Sequence, residues 1–408
     1  MLTLLAISYV FRQHDWQCNI MQYIQRIIPI NDLLQQRTVI LWGPRQTGKS
    51  CFVREQLGGA ITASYNLLDQ ALLLRLLADP ALIRKEIAAL RVRDAVVFID
   101  EIQKCPQLLD EVHLMIEEFR IRFLLTGSSA RKLRRSGANL LGGRGRDRHF
   151  HPFVYQELKE HDFSLSRALN HGLIPNHYLA SNPDEDLAAY VGRYLTEEIA
   201  GEGVSRNLPA FSRFLHVAAL SNGQLINYSS IANDAQATRS TVQNWFQVLY
   251  DTLLAWEIRP FKATRKRKSI DTAKFYFFDT GVVRSLRRLP PLVPEQTEWG
   301  EFFEQFIMME IKAWIDYFQP LCTLTFWRST SKEEVDFVID DRVAIEVKST
   351  KIAKPNHFRG LLALREEKIC TDYILVCDEE RPRIENGIEV LPWRMFLDQL
   401  WGGRFCAG

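Results

Sequence analysis

The chain has 408 residues, of which 47% are hydrophobic and 25% are charged, values that are ordinary for globular proteins and exclude an intrinsically disordered chain. The formal net charge at pH 7 is +2, so a nucleic-acid partner has to be argued from local basic patches. Seven scattered cysteines without a Cys-x-x-Cys pair predict neither a zinc site nor a disulfide framework, and they fit a reducing, cytoplasmic setting best.

Residues 1–21 are predicted to be an N-terminal extension. Their apolar start, MLTLLAISYVF, lacks a basic region and is well below the ~20 residues that span a bilayer. No other segment has the pattern of a membrane span, so no association with a membrane is predicted.

Residues 22–157 alternate apolar strand patterns with helical patterns. One example is the segment 108–119, in which the apolar residues recur at helical spacing. Alternation of this kind predicts the α/β fold class, with a parallel sheet that carries helices on both faces.

The first strand pattern, at residues 38–42, leads into the sequence Gly-x-x-x-x-Gly-Lys-Ser of a phosphate-binding P-loop. In such a loop the backbone N–H groups cradle phosphates, the lysine reaches the terminal phosphates, and the hydroxyl ligates Mg²⁺. We therefore predict ATP and Mg²⁺ as cofactors. The predicted binding residues are Gly43, Pro44, Arg45, Gln46, Thr47, Gly48, Lys49 and Ser50.

A second motif supplies a partner for the loop. The apolar run 96–99 ends in Asp100 and Glu101, about fifty residues after the loop, so that two parallel strands would bring both motifs to one sheet edge. Asp100 is predicted to hold Mg²⁺ together with Ser50. Glu101 is predicted to act as general base, and Lys49 is predicted to be a further catalytic residue. The alternative is a buried strand that merely ends in acidic residues.

Two further features belong to this predicted site. Thr126 and Ser128 end the next strand, where a hydroxyl would lie near the γ-phosphate; the alternative is a turn that caps the following helix. Arg144, a better candidate than Arg146, is predicted to reach the nucleotide of a neighbouring subunit, which requires a homo-oligomer. A solvated basic turn is the alternative for this arginine.

A helical connector is predicted at 158–207 and a winged-helix-like region at 208–286. The proposed wing carries a basic run that would meet DNA phosphates: Arg265, Lys266, Arg267 and Lys268. The third helix would begin with polar residues placed to touch DNA, namely Thr238, Ser240, Thr241, Gln243 and Asn244. The alternatives are a solvated charge run and ordinary helix capping.

A proline-rich linker is predicted at 287–298 and a final α/β domain at 299–408. Asp336, followed ten residues later by Glu346-x-Lys348, matches the PD-(D/E)XK arrangement, and Glu304 on a preceding helix resembles its additional acidic residue. The two carboxylates would share a second Mg²⁺, with the lysine on the same face. The alternatives are an inactive domain used for binding or regulation, and solvent-facing charges on an edge strand.

The chain resembles the prokaryotic AAA-type ATPases that carry a C-terminal, restriction-endonuclease-like domain of unknown function. The resemblance rests on GPRQTGKS, YNLLD, FIDEIQKCPQLL, FLLTGSS, LGGRGR, HPFVYQEL, FDTGVV and EVDFVI…AIEVKS, in that order. It implies a P-loop NTPase (AAA-type) domain, and it carries the ATP·Mg²⁺ roles onto Lys49 and Ser50 and the Walker B roles onto Asp100 and Glu101.

The leading hypothesis is an ATP-hydrolysing AAA-type protein whose nucleotide state moves the winged-helix and nuclease-like parts, with DNA as a candidate partner. One alternative is a DNA-binding regulator that uses ATP as a switch with negligible hydrolysis. The other is an ATP-dependent DNA nuclease.

Overall fold

The protein divides into two compact units, Met1–Phe150 and His151–Gly408. The computed structural model describes residues 23–129, 131, 141–195 and 207–406. The predicted extension 1–21 lies outside the described residues. No helix in the described ranges is long and apolar enough to cross a membrane.

The first unit is built from strands that alternate with helices, as the sequence predicts. Its strands are β1 (Thr38–Trp42), β2 (Ile61–Asn66), β3 (Val96–Asp100), β4 (Arg122–Gly127) and β5 (Gly145–His149). The helices are α1 (Asn31–Gln36), α2 (Lys49–Phe52), which continues as a π-helical turn at Val53–Leu57, α3 (Gln70–Ala78), α4 (Leu82–Ala89) and α5 (Leu108–Phe119).

These strands form one five-stranded sheet in the order β2-β3-β4-β1-β5. Every pairing is parallel, and each residue of β1 and β3 is buried, as expected for strands that are covered on both faces. The carboxyl ends of β1, β3 and β4 therefore lie at the same edge of the sheet. This edge is where ligands bind in parallel α/β sheets.

The second unit begins with helices. They are α6 (Tyr155–Leu158), α7 (Leu165–His171), α8 (Pro175–Tyr178), α9 (Pro183–Ala189), α10 (Leu208–Leu220), α11 (Tyr228–Ala235) and α12 (Arg239–Asp251). Strands β6 (Ala255–Pro260) and β7 (Lys274–Phe277) follow as an antiparallel pair. The three helices and the strand pair are the elements that the sequence predicts for residues 208–286.

The remaining helices are α13 (Thr280–Arg287), α14 (Thr297–Phe318), α15 (Arg359–Arg365) and α16 (Trp393–Trp401). The remaining strands are β8 (Leu324–Arg328), β9 (Glu334–Ile339), β10 (Val343–Val347), β11 (Asp372–Cys377), β12 (Arg383–Glu385) and β13 (Ile388–Pro392). Together with β6 and β7 they form an eight-stranded mixed sheet in the order β12-β13-β11-β10-β9-β8-β6-β7.

This sheet runs through the boundary that the sequence analysis places at 287–298. Arg259 and Pro260 of β6 pair with Thr325 and Phe326 of β8. The predicted winged-helix strands thus extend the sheet of the predicted C-terminal domain. Pairing of this kind satisfies backbone groups that an open sheet edge would leave unpaired.

The predicted linker is also anchored. The Asn170 side chain accepts a hydrogen bond from Leu292 N at 2.6 Å and donates one to Leu292 O at 3.1 Å, and Leu292 is buried. Proline richness alone predicts a spacer, whereas these hydrogen bonds fix the segment against α7.

The motif FDTGVV has a structural role at the start of α13. The buried Asp279 carboxylate accepts hydrogen bonds from Val282 N at 3.1 Å, Leu173 N at 2.6 Å and Ile174 N at 3.3 Å. Thr280 Oγ1 donates to the carbonyl of Ala168 at 2.5 Å. The motif therefore ties α13 to α7 and to the loop that follows α7.

Candidate functional site

The backbone of the P-loop requires glycine at two positions. Gly48 has φ of +92°, which favours glycine, and Gln46 also adopts a left-handed conformation with φ of +61°. A Cβ on Gly43 would lie 2.4 Å from the carbonyl oxygen of Phe150, so only glycine fits there. The local conformation thus explains both glycines of the motif.

Lys49 is buried at the start of α2. Its Nζ donates to the carbonyl oxygens of Gly43 at 2.7 Å and Pro44 at 2.9 Å, and Thr47 Oγ1 donates to Pro44 O at 2.8 Å. The ammonium is therefore held inside the loop, where the sequence predicts that it meets phosphate.

Arg26 supports the loop from the chain ahead of α1. It is buried, its Nη1 donates to Thr47 O at 2.9 Å, and its guanidinium lies 4.2 Å from the centre of the Phe150 ring. The sequence analysis missed this residue. Its only signal is a charged side chain within the apolar run that ends at Ile30.

Asp100 is joined to the loop and to β4. Ser50 Oγ donates to Asp100 Oδ2 at 2.7 Å, and Thr126 Oγ1 donates to Asp100 Oδ1. Burial raises the pKa of Asp100 above its usual value, and the neighbouring Glu101 adds to this effect. The hydrogen bonds from Thr126 and Ser50 and the charge of Lys49 oppose it.

Glu101 turns away from the strand in a left-handed conformation with φ of +60°. Its amide donates to Thr126 Oγ1 at 3.3 Å, and its Oε2 accepts hydrogen bonds from Gln103 Nε2 and, at 3.4 Å, from Ser128 Oγ. The structure thus brings together the loop, Asp100, Glu101, Thr126 and Ser128. The sequence analysis did not single out Gln103.

The donor set at this sheet edge fits ATP and Mg²⁺. A carboxylate and a hydroxyl in contact with each other are the hard oxygen ligands that Mg²⁺ prefers, and a buried ammonium beside them suits a phosphate. Burial that raises the pKa of Asp100 also favours a nearby cation, because a cation stabilises the ionised carboxylate.

Arg144 is not part of this group. It immediately precedes β5, whose first residue pairs with Thr38 at the start of β1, so it lies at the sheet edge opposite the P-loop. Its exposed side chain forms an ion pair with Glu117 of α5. Arg144 therefore does not complete the site of its own chain, and its predicted role toward another subunit stays a prediction.

A second charged cluster lies on the eight-stranded sheet of the other unit. The Lys348 ammonium is 2.6 Å from Glu346 Oε1 and 3.5 Å from Asp336 Oδ2, and Asp336 Oδ2 also accepts from Val347 N at 2.8 Å. The structure thus brings Asp336, Glu346 and Lys348 together, as the PD-(D/E)XK spacing predicts.

Strand β7 adds two residues that the sequence analysis missed. The Nζ of the buried Lys274 lies 2.5 Å from Glu334 Oε1 and 3.8 Å from Glu304 Oε1, and Tyr276 OH donates to Glu304 Oε1 at 2.6 Å. The cluster therefore combines side chains from the predicted winged-helix region with side chains from the predicted nuclease-like domain.

The predicted second Mg²⁺ site at Asp336 and Glu346 stays a prediction. In the part of the chain that the structure describes, no group of three or more histidine, cysteine, aspartate or glutamate side chains is placed to hold a metal ion. Lysine ammonium groups pair with the carboxylates of this cluster: burial alone would lower the pKa of Lys348, but Asp336 and Glu346 raise it. Burial raises the pKa of Glu304 and of Glu346.

The predicted wing residues are partly engaged within the protein. The backbone amides of Arg265, Lys266 and Arg267 all donate to the Glu367 carboxylate, at 2.8–2.9 Å. The half-buried Arg267 side chain also donates to Ala363 O at 3.0 Å and pairs with Glu366 at 2.8 Å. The side chains of Arg265, Lys266 and Lys268 are exposed, although Lys266 Nζ donates to the carbonyl of residue 366 at 2.8 Å.

The predicted contact helix, α12, has a capped start and an exposed polar face. Thr238 Oγ1 accepts from Thr241 N at 3.2 Å and also lies 3.0 Å from Ser240 Oγ, so the Thr238 hydroxyl caps the helix. Gln243 and Asn244 are exposed. Capping thus accounts for Thr238, and the DNA contacts predicted for Ser240, Thr241, Gln243 and Asn244 stay predictions.

Comparison with known proteins identifies the first unit. A family model described as an AAA domain matches residues 35–159. Models of two domains of unknown function match residues 162–292 and 299–396. Together with the all-parallel sheet and the P-loop, the first match shows that residues 35–159 form an AAA-type domain.

Two mycobacterial proteins, from Mycobacterium bovis and Mycobacterium tuberculosis, are each 25% identical to this chain over 314 residues. The matches cover 74% of this chain and 67% of each relative, and both relatives are described as uncharacterized. The similarity to these relatives therefore extends beyond residues 35–159, but it assigns no activity to this chain.

Two solved structures share a weaker likeness. The ORC1 protein of Aeropyrum pernix, in complex with DNA, is 12% identical with a TM-score of 0.27, over 67% of this chain and 96% of that chain. A STAND protein with a tetratricopeptide repeat sensor from Pyrococcus horikoshii is 13% identical with a TM-score of 0.21, over 72% and 47% of the two chains. At these scores the likeness carries no conclusion about this protein.

Proposed function

We propose that this protein binds ATP with Mg²⁺ and hydrolyses it at the sheet edge formed by the P-loop and the end of β3. The observation that carries the proposal is the contact of 2.7 Å between Ser50 Oγ and Asp100 Oδ2, beside the buried Lys49 and Glu101. It joins the residue that would ligate Mg²⁺ from the loop to the residue that would hold it from the strand.

In this proposal Lys49 binds the terminal phosphates, and the N–H groups of the loop, from Gly43 to Ser50, orient them. Bound Mg²⁺ would supply neutralisation of the phosphate charge that builds up during transfer. Ser50 and Asp100 would hold that ion. Glu101 would orient the attacking water and accept its proton through a carboxylate oxygen.

Equilibrium binding tests the nucleotide site. We expect wild-type protein to bind a fluorescent ATP analogue, and Lys49→Met to lose at least about tenfold in affinity, because a buried charge-assisted contact is worth roughly 1.5–3 kcal/mol. Lys104→Met, which changes a half-buried lysine in the next turn, is the matched control and should bind as wild type does. Equal affinities for all three proteins would contradict the proposal.

The alternative, an ATP-gated regulator with negligible hydrolysis, shares this binding site. Glu101→Gln separates the two functions, because it removes the proton acceptor while keeping the size of the side chain. In the enzyme this variant traps ATP and abolishes turnover. In a switch it leaves the nucleotide-dependent behaviour unchanged.

For the second unit we propose a DNA-binding role for a winged helix joined to a non-catalytic, PD-(D/E)XK-like sheet. The observation that favours it is the pairing of Lys348 with Asp336 and Glu346, because an ammonium already occupies the contacts that a metal ion would need. The exposed side chains of Arg265 and Lys268 and the polar face of α12 supply groups that suit phosphates.

Three measurements test this role. The protein should bind double-stranded DNA with an affinity that falls as salt rises, and ATP turnover measured with and without DNA shows whether the two units are coupled. Plasmid incubated with Mg²⁺ or Mn²⁺ should stay intact. Cleavage that disappears in both Asp336→Ala and Lys348→Ala would establish a nuclease instead.

A further inference from the structure

The strongest unexplained feature of the ATP site is Gln103, a buried glutamine two residues after Glu101. It lies in the short 3₁₀ turn Ile102–Lys104, between the end of β3 and α5. Its Nε2 donates to Glu101 Oε2 and to Ser128 Oγ, the latter at 3.0 Å. Gln103 therefore contacts two residues of the predicted site at once.

The chemistry of the partners fixes the orientation of the Gln103 amide. An ionised carboxylate only accepts hydrogen bonds, so the NH₂ group and not the carbonyl of Gln103 faces Glu101. Ser128 Oγ accepts from Gln103 and donates to the same Oε2 of Glu101, at 3.4 Å. Both donors thus hold the same carboxylate oxygen of Glu101, Oε2.

Two backbone features serve this contact. Glu101 adopts the left-handed conformation, which is uncommon for residues other than glycine and brings Gln103 back toward the end of its own strand. Gly127 of β4 lacks a side chain, and a Cβ there would lie 2.7 Å from Gln103 Oε1 and 2.5 Å from a ring carbon of Trp42. The glycine gives the amide of Gln103 its space.

A buried polar atom without a hydrogen-bond partner lowers the stability of the folded protein. Among the described residues, the buried Gln103 Oε1 has no hydrogen-bond partner, so the polar contacts that the amide makes there run through Nε2. An apolar residue of the same size would fill the space without that cost. The contacts of Nε2 with Glu101 and Ser128 therefore explain why an amide stands at this position.

We propose that Gln103 is a positioning residue that fixes the Glu101 carboxylate for proton transfer and couples its orientation to Ser128, the hydroxyl predicted to lie near the γ-phosphate. This inference rests on the proposed ATP hydrolysis and adds a residue that acts through Glu101. Gln103 touches neither nucleotide nor water in this role.

The test uses Gln103→Met, which keeps the length of the side chain without a donor, and Gln103→Glu, which keeps its shape but is an acceptor when ionised. For both we expect kcat to fall about 10- to 100-fold, the range expected for loss of a hydrogen bond to a charged group. The affinity for ATP should stay within about threefold, because the loop is untouched. Lys104→Met is again the control and keeps wild-type kcat. An unchanged kcat in both Gln103 variants, with turnover lost in Glu101→Gln, overturns this inference and leaves the proposed hydrolysis intact.

A second measurement needs no nucleotide. The melting temperatures of Gln103→Met, Glu101→Ala and the double variant form a thermodynamic cycle in the ligand-free protein. We expect the double variant to melt at least about 2 °C above the additive value, because each single change leaves a buried polar partner unsatisfied. Additive shifts would overturn the contact itself, even if wild-type protein proved unable to hydrolyse ATP.

Discussion

Ser50 Oγ donates a hydrogen bond of 2.7 Å to Asp100 Oδ2, and this contact joins the P-loop to the end of β3. The two residues are fifty positions apart in the chain: Ser50 lies in α2, directly after the P-loop, and Asp100 is the last residue of β3. Their contact places two oxygen ligands of the kind that Mg²⁺ prefers beside the buried Lys49.

Mg²⁺ dependence follows from this contact. We expect Ser50→Ala to weaken ATP binding at least about tenfold in the presence of Mg²⁺, because a hydroxyl ligand is lost. In EDTA the same variant should bind ATP nearly as wild type does. Titrations of a fluorescent ATP analogue with and without Mg²⁺ measure both values, and an equal loss under the two conditions would assign Ser50 to the phosphates alone.

Arg144 lies at the edge of the sheet opposite the P-loop, so any catalytic role requires another subunit. If it serves a neighbour, turnover per protomer falls on dilution, and Arg144→Ala loses about 10³-fold or more in rate. Mixing Arg144→Ala with Lys49→Met should restore part of the activity, because some mixed interfaces then combine an intact loop with an intact arginine.

The control for this prediction is Glu117→Gln, which removes the ion-pair partner of Arg144 and leaves the arginine in place. This variant should keep turnover. A rate per protomer that stays constant through dissociation of the oligomer, or a mixture that remains inactive, would remove Arg144 from the mechanism.

The basic segment 265–268 contains side chains with different environments. Arg265 and Lys268 are exposed, whereas Arg267 is half-buried against Ala363 and Glu366. Replacing Arg265 and Lys268 by alanine should lower the slope of log K for DNA against log salt by about 2. Arg267→Ala should instead lower the melting temperature. The exposed Arg381→Ala is the control, and an unchanged slope in the double variant would exclude this segment as the DNA contact.

His177 makes the second unit sensitive to acid. It is buried against the Tyr190 ring, and burial lowers its pKa from 6.5 to about 4. Below pH 6.5 the unfolded chain takes up a proton that the folded chain refuses, so stability is lost as the pH falls toward about 4. At about 1.4 kcal/mol per pKa unit, this loss approaches about 3 kcal/mol.

Thermal melts between pH 4 and pH 8 measure the effect. We expect His177→Leu to flatten the pH dependence on the acid side, whereas His161→Gln, which changes an exposed histidine nearby, should keep the wild-type profile. A leucine variant with the wild-type acid slope would show that other groups dominate.

The fold of the first unit can be predicted from the sequence because the motifs that indicate it are short and local. The loop motif, the acidic pair and the alternating strands each occupy a few consecutive residues, and the parallel-sheet rule then brings their ends together. The same reasoning predicts that Asp336, Glu346 and Lys348 meet, since adjacent strands β9 and β10 carry the two carboxylates and Lys348 directly follows β10.

What the sequence does not predict depends on tertiary pairing. Lys274 reaches its carboxylate partners because β6 pairs with β8, more than sixty residues later, and no local pattern specifies that pairing. Gln103 reaches Glu101 through a left-handed turn that a glutamate rarely adopts. The anchoring of the predicted linker is also a tertiary effect, because Asn170 holds Leu292 through side-chain hydrogen bonds.

The central claim is that one triphosphate meets Lys49, Asp100 and Glu101 at a single sheet edge and is hydrolysed there. The most direct test is phosphate release from saturating ATP and Mg²⁺ by wild-type protein and by Glu101→Gln. The account predicts sustained turnover by wild type, and for the variant ATP that stays bound and intact. Wild-type protein that binds ATP without releasing phosphate, or a Glu101→Gln variant that turns over at the wild-type rate, would contradict it.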